Sequence, residues 1–231
     1  MRVVESVVDL IGRTPMVRLG ALKETGEAGV FAKLEYLNPG MSVKDRTALG
    51  LIRDAEERGL LAPGGTILEA TAGNMGVGLA LVGVVRGYSV VIVLIEGYAR
   101  EKRLLIRGLG GEVVLVPHGA GIPGAVAKVN ELAATIPGAV PMRQFESPAN
   151  SRVHYETTGP EVWEQLEGRV DGLAVGVGTG GTFTGVARFL KEKDPSVACW
   201  GVEPPDSIYG GGDGTGVHMV EGIGNAFFPA T

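Results

Sequence analysis

The sequence predicts an α/β protein built on a parallel sheet with helices on both faces. Three observations carry this expectation. Short apolar runs alternate with helix-like segments along all 231 residues. Several runs, such as SVVIVLI (89–95) and EVVLV (112–116), are almost continuously apolar, as strands buried on both faces are. The 38 glycines follow no G-x-y period, so they read as punctuation in a folded chain rather than as low complexity.

The elements follow in order. VFAKLE (30–35) reads as a strand and 43–58 as a helix, followed by the strand TILEA (66–70) and a helix from about 76 to 86. The strands at 89–95 and 112–116 are each followed by a helix, near 99–108 and 123–135. GPEVWEQLEG (159–168) reads as a helix, GLAVGV (172–177) as a strand, 183–192 as a helix and VACWGVE (197–203) as a strand. In such sheets ligands bind in the loops at the C-terminal ends of strands.

Composition excludes several classes. With 45% apolar and 20% charged residues the chain is an ordinary globular one. Its 21 basic and 26 acidic side chains give a net charge of −5, which suits neither a nucleic acid nor an anionic membrane. The lone Cys199 can form no internal disulfide, so a reducing cytoplasm is the expected setting. MRVVESVVDLIG is a poor signal peptide because acids interrupt it, and the longest apolar runs are too short to span a bilayer. His118, His154 and His218 lack ligand spacing, which points to surface or hydrogen-bonded structural histidines rather than a metal site.

NPGMSVKDRTALGLI (38–52) places a cation where electrostatics disfavours one. Ser42 reads as a helix N-cap with Asp45 completing a capping box, so Lys44 falls in the first helical turn, at the positive end of the dipole. Two glycine-rich loops stand between a strand and a helix: TAGNMG (71–76) and GTGGT (178–182). Each would converge backbone N–H groups on an anion. Two anion loops and a lysine whose pKa a helix N-terminus and desolvation would lower are the parts needed to hold pyridoxal phosphate and an amino acid. Two rivals stand beside this reading. GVGTGG (176–181), with Glu203 following at the end of the next strand, also fits a nicotinamide dinucleotide site, which would leave Lys44 and TAGNMG without a role. A ligand-binding or regulatory scaffold without turnover is the other.

The motifs IGRTPMVRL, KLEYLNPGMSVKDR, TILEATAGNMGVGLA, QFESPANSRVHYETTGPEVW, GVGTGGTFTGVARFLKE, GVEP and EGIG occur in one order from about Ile11 to the last residues. As an ordered set they resemble the cysteine synthase (O-acetylserine sulfhydrylase) and cystathionine β-synthase-like family of fold type II pyridoxal-phosphate enzymes. The resemblance implies a tryptophan synthase β-like fold with two doubly wound parallel-sheet domains. A smaller mobile domain would cover 35–145, and a larger one 13–34 with 146–231. It implies that Lys44 is the catalytic lysine that carries the cofactor and that Asn74 bonds the cofactor's 3′-oxygen. Gly178, Thr179, Gly180, Gly181 and Thr182 would hold the phosphate. Thr71, Ala72, Gly73, Asn74 and Met75, with Gln144, would surround the substrate carboxylate. The implied reaction is β-replacement on O-acetylserine with sulfide to give cysteine, in a cytoplasmic homodimer.

Departures from the family's pattern bear on the second substrate. Ala72 stands where serine is usual, as in bacterial cystathionine β-synthase-like members. Met75 stands where threonine is usual, as in plant β-cyanoalanine synthases, and should favour a small nucleophile. EGYAREKRLL (96–105) lacks the usual Met-Ser, so that helix is expected to start poorly capped. The chain stops at FFPAT, where the family continues through more of the large domain and the residue that meets the pyridine nitrogen. On that comparison the large domain is expected to be incomplete, and the chain as given aggregation-prone or partner-dependent, with low turnover.

Overall fold

The computed structural model describes residues 3–20, 29–97, 100–205, 207–212, 220–224 and 227–231. After a 3-10 turn at Val7–Leu10 comes a short antiparallel pair, β1 (Met16–Arg18) and β2 (Phe31–Lys33). Helix α1 (Lys44–Glu57) leads into β3 (Thr66–Ala70), α2 (Asn74–Val85) and β4 (Ser89–Ile95). Helix α3 (Arg100–Gly108), β5 (Glu112–Val116), α4 (Gly121–Thr135) and β6 (Ala139–Pro141) complete the first unit. Its sheet is parallel, in the order β5-β4-β3-β6.

Both faces of that sheet are covered, as continuous apolar strands require. Along β4 the side chains alternate: Val90, Ile92 and Leu94 pack with α1 and α2, while Val91, Val93 and Ile95 pack with Val129 and Ala125 of α4. Helix α2 lies unusually close to α1. A Cβ at Gly78 would stand 2.8 Å from the Lys44 carbonyl oxygen and 3.1 Å from the Ala48 methyl, so only glycine permits this approach. That contact brings the start of α1 towards the loop that opens α2.

The second unit begins with α5 (Ala149–Val153), which runs through a π-turn (His154–Thr158) into α6 (Gly159–Gln165). Strands β7 (Gly172–Gly176) and β8 (Ala198–Val202) form a parallel pair joined by α7 (Gly181–Lys193). Val162, Val170, Val186, Leu190 and Val197 make its core. The α/β class and the parallel strands match the sequence expectation. The strands at 66–70, 89–95 and 112–116 fall where the apolar runs place them. The expected poor cap at residues 98–99, like His218, lies outside the described residues.

Candidate active site

The segment before α1 corrects the expected capping box: the N-cap is Val43, not Ser42, with no side-chain cap bond, and Asp45 shapes the turn instead. The Ser42 hydroxyl accepts the Lys44 N–H at 3.2 Å, while the Asp45 carboxylate turns back to accept the Gly40 N–H at 2.5 Å rather than that of Ser42. A Cβ on Gly40 would overlap that carboxylate. The second Asp45 oxygen is buried without a hydrogen-bond partner. Burial raises the Asp45 pKa to about 6, with the charge of Glu35 adding to the rise and the Gly40 bond opposing it.

Only a minor part of Lys44 reaches solvent, and no carboxylate among the described residues pairs with its ammonium. Desolvation lowers its pKa to about 8. Arg46, two residues on, is treated in the opposite way. Its guanidinium donates to Glu35 at 2.8 and 3.0 Å and to both Glu161 oxygens at 2.7 Å, with the Thr14 and Thr157 hydroxyls at 3.3 Å. Burial alone would depress the Arg46 pKa, but these bonds outweigh it and raise it. Burial likewise works against the charge of Glu161, yet bonds from Arg46, Lys33 and the Arg13 N–H hold its pKa at about 2. The network fastens α1 to α6 and to the turn at Glu35, and so fixes where Lys44 stands.

The loop 71–75 opens helix α2. Thr71 is buried, with its hydroxyl accepting the Gly73 N–H at 3.1 Å, while Ala72 and Asn74 are exposed. Gly73 has φ 154°, and the stem of Lys102 lies where a Cβ would be. The Lys102 ammonium pairs with Glu221 at 2.6 Å, joining α3 to the segment whose Gly222 carbonyl lies against Gly178. Met75 is 1% exposed and belongs to the apolar core, so its side chain packs inward rather than into the open loop. Gln144 is buried beside the loop, with its amide nitrogen 3.4 Å from the Ala70 carbonyl.

The loop 178–182 opens helix α7. Gly180 has φ 86°, and a Cβ on Gly178 or Gly181 would overlap the Gly222 carbonyl or the Asn150 amide. Thr182 lies 3.2 Å from His154 Nε2, which also meets Thr47 at 3.2 Å, while His154 Nδ1 meets Thr158 at 2.9 Å. His154 is thus a hydrogen-bonded histidine, as expected, but one inside the site. Burial lowers its pKa to about 3, helped by the charges of Lys44 and Arg46, so it is neutral. Neither α2 nor α7 has a side-chain cap or an acidic residue in its first turn. Helix starts without a side-chain cap, each behind a glycine N-cap (Gly73 and Gly180), leave backbone N–H groups that fit a phosphate at one loop and a carboxylate at the other. With a largely buried lysine, unpaired among the described residues, on the neighbouring helix, the donor set suits pyridoxal phosphate.

The sequence reading did not find Asn150, His154, Thr47, Lys102 or Glu69 as parts of the site. The Glu69 carboxylate accepts the Ala70 N–H at 2.9 Å and the Gln144 N–H at 3.1 Å. Burial raises its pKa to about 7, against those two bonds. Its signal was available: it is the single charge in the buried strand TILEA.

Comparison with known proteins gives the family. The model of the pyridoxal-phosphate dependent enzyme family matches residues 7–230, and the chain belongs to that family. It is 43% identical over 222 residues to Cysteine synthase 3 of Caenorhabditis elegans, covering 96% of this chain and 66% of that protein. It is 43% identical over 229 residues to a cysteine synthase of Staphylococcus aureus, covering 99% of this chain and 74% of that one. Its fold superposes on the O-acetylserine dependent cystathionine beta-synthase of Helicobacter pylori with TM-score 0.93 and 40% identity, covering 99% and 75% of the two chains. These similarities do not favour the nicotinamide reading of GVGTGG and Glu203.

Proposed function

We propose that this pyridoxal-phosphate dependent family member catalyses β-replacement on O-acetylserine, or a similar β-substituted alanine, with sulfide to give cysteine. The observation that carries the reading is Lys44: a largely buried amine with no carboxylate partner among the described residues, its pKa lowered to about 8, on the helix that meets α2 at Gly78 and is linked to Thr182 through His154. In this reading Gly178, Thr179, Gly180, Gly181, Thr182 and the start of α7 hold the phosphate, and Asn74 meets the ring oxygen. Thr71, Ala72, Gly73, Asn74 and Met75 offer the loop, with Gln144, to the substrate carboxylate. The bound cofactor supplies the electron sink that makes an amino acid's α-proton removable. Lys44 Nζ takes that proton as general base, which its lowered pKa permits near neutrality. Acetate leaves as the Cβ–O bond breaks, sulfide forms the new Cβ–S bond, and Lys44 Nζ returns the proton to Cα to give cysteine.

The segment 35–145 acts as the smaller mobile domain, against 13–34 and 146–231. Its closure keeps water from the reacting carbon. The protein works as a cytoplasmic homodimer, the lone Cys199 suiting a reducing compartment. Ala72 favours a second reading, in which the nucleophile is a larger thiol such as homocysteine, and cyanide is a third candidate. The chemical test is borohydride reduction after loading with pyridoxal phosphate, followed by peptide mapping. The label is expected on Lys44, and a label on another lysine would overturn the assignment. Rates with sulfide, homocysteine and cyanide then separate the nucleophiles.

A further inference from the structure

We infer that Asn150 is a positioning residue that ties the substrate loop, the phosphate loop and the lysine helix into one unit, so that cofactor and amino acid affinities rise or fall together. The inference rests on the assignment of the two loops made above. Asn150 is 0% exposed, on the short helix α5. Its Nδ2 donates to the Gln144 carbonyl at 2.8 Å and to the Thr179 hydroxyl at 2.8 Å. Its Oδ1 faces the Thr47 hydroxyl at 3.4 Å, one helical turn beyond Lys44. One side-chain amide therefore touches a residue from each of the three parts of the proposed site while being fully buried itself.

The chain of bonds continues on both sides. Gln144 is pinned by Glu69 and by the Ala70 carbonyl at the end of β3, directly before Thr71. Thr179 accepts the Gly181 N–H at 3.4 Å, and Gly181 leaves the space that the Asn150 amide fills. A buried amide with both N–H groups used is rigid, because moving either acceptor strands a donor away from water. Asparagine is the residue this place requires. Aspartate offers no donors in its ionised form, and leucine would leave the Gln144 carbonyl and the Thr179 hydroxyl without this partner.

The test uses two variants. Asn150→Asp keeps the volume and removes both donors, and Asn150→Ala gives a neutral alternative should a buried carboxylate unfold the chain. The apo proteins are titrated with pyridoxal phosphate by fluorescence. The loaded proteins are titrated with L-alanine, which has no β-leaving group, by the visible absorption of the cofactor. We expect both dissociation constants to rise about 5- to 10-fold, the effect of one or two net hydrogen bonds. Lower thermal stability with both constants unchanged, or a change in only one, overturns the inference. So does failure of both variants to fold, since the role is then structural. If the unaltered protein binds no pyridoxal phosphate, the functional reading fails first and this inference with it.

Discussion

Lys44 and Arg46 are two cations two residues apart on one helix, and the protein holds them in opposite ways. Arg46 meets two carboxylates in a planar fork and is locked into its charged state. Lys44 is desolvated without compensation and pushed towards the neutral amine. Arginine suits the first place because it keeps its charge and binds two carboxylates directionally. Lysine suits the second because its pKa moves when it is buried. The contrast separates the two sides of α1: one is saturated with partners, and the other has no carboxylate partner among the described residues, which is what the proposed role of Lys44 requires.

Breaking the saturated side should have the largest effect. Arg46→Met leaves Glu35 and Glu161 facing each other in a largely buried site, and we expect a loss of about 3–5 kcal/mol by urea or thermal denaturation. A loss below about 1 kcal/mol would mean that the carboxylates find water or other cations, and that the network does not fix α1. Breaking the open side should do the reverse. Lys44→Met removes an ammonium that burial disfavours, so the apo protein should gain about 1–3 kcal/mol at pH 7 while losing the borohydride label. The sign with pH follows from linkage. The folded pKa lies below the unfolded one, so the unfolded chain binds more protons between pH 8 and 10.5, and the native protein recovers stability as pH rises through that window. The advantage of Lys44→Met should therefore shrink from pH 8 to pH 10.5. Destabilisation at pH 7 would show that Lys44 is paired after all.

The same contrast marks what the sequence could disclose. The place of Lys44 at the start of a helix was legible because helix start and turn are local patterns. Strands β3, β4 and β5 were legible because burial on both faces leaves a continuous apolar run. Strands β1 and β6 were not: each is three residues long, β1 is mostly exposed and β6 ends on proline. Helix α5 and the π-turn carry ANSRVHYETT, which lacks an apolar helical stripe, and their placement comes from α1 and α7 packing around them. Asn150 and His154 lie on that stretch and bond partners 29 and 107 residues away. No local spacing encodes such a hub. Met75 was legible as a residue of the loop but not as a core side chain, because position alone does not tell which way a first-turn residue points.

The smallest expected effect sharpens the comparison on its open side. Ala72 is an exposed loop residue with no side-chain hydrogen-bonding group, next to the uncapped start of α2 that the reading gives to the substrate carboxylate. Ala72→Ser adds one hydroxyl there without disturbing the core or the Arg46 network. A single net hydrogen bond contributes about 0.5–1.5 kcal/mol, so the KM for O-acetylserine should fall roughly 2- to 10-fold. The kcat should change less, because a bond present before and during the reaction lowers the ground state and the transition state together. The measurement is steady-state kinetics over a range of O-acetylserine concentrations with sulfide saturating. An unchanged KM would place the carboxylate elsewhere than on loop 71–75. A fall in kcat without a fall in KM would mean that the new hydroxyl holds the loop in a conformation that closes poorly over the substrate.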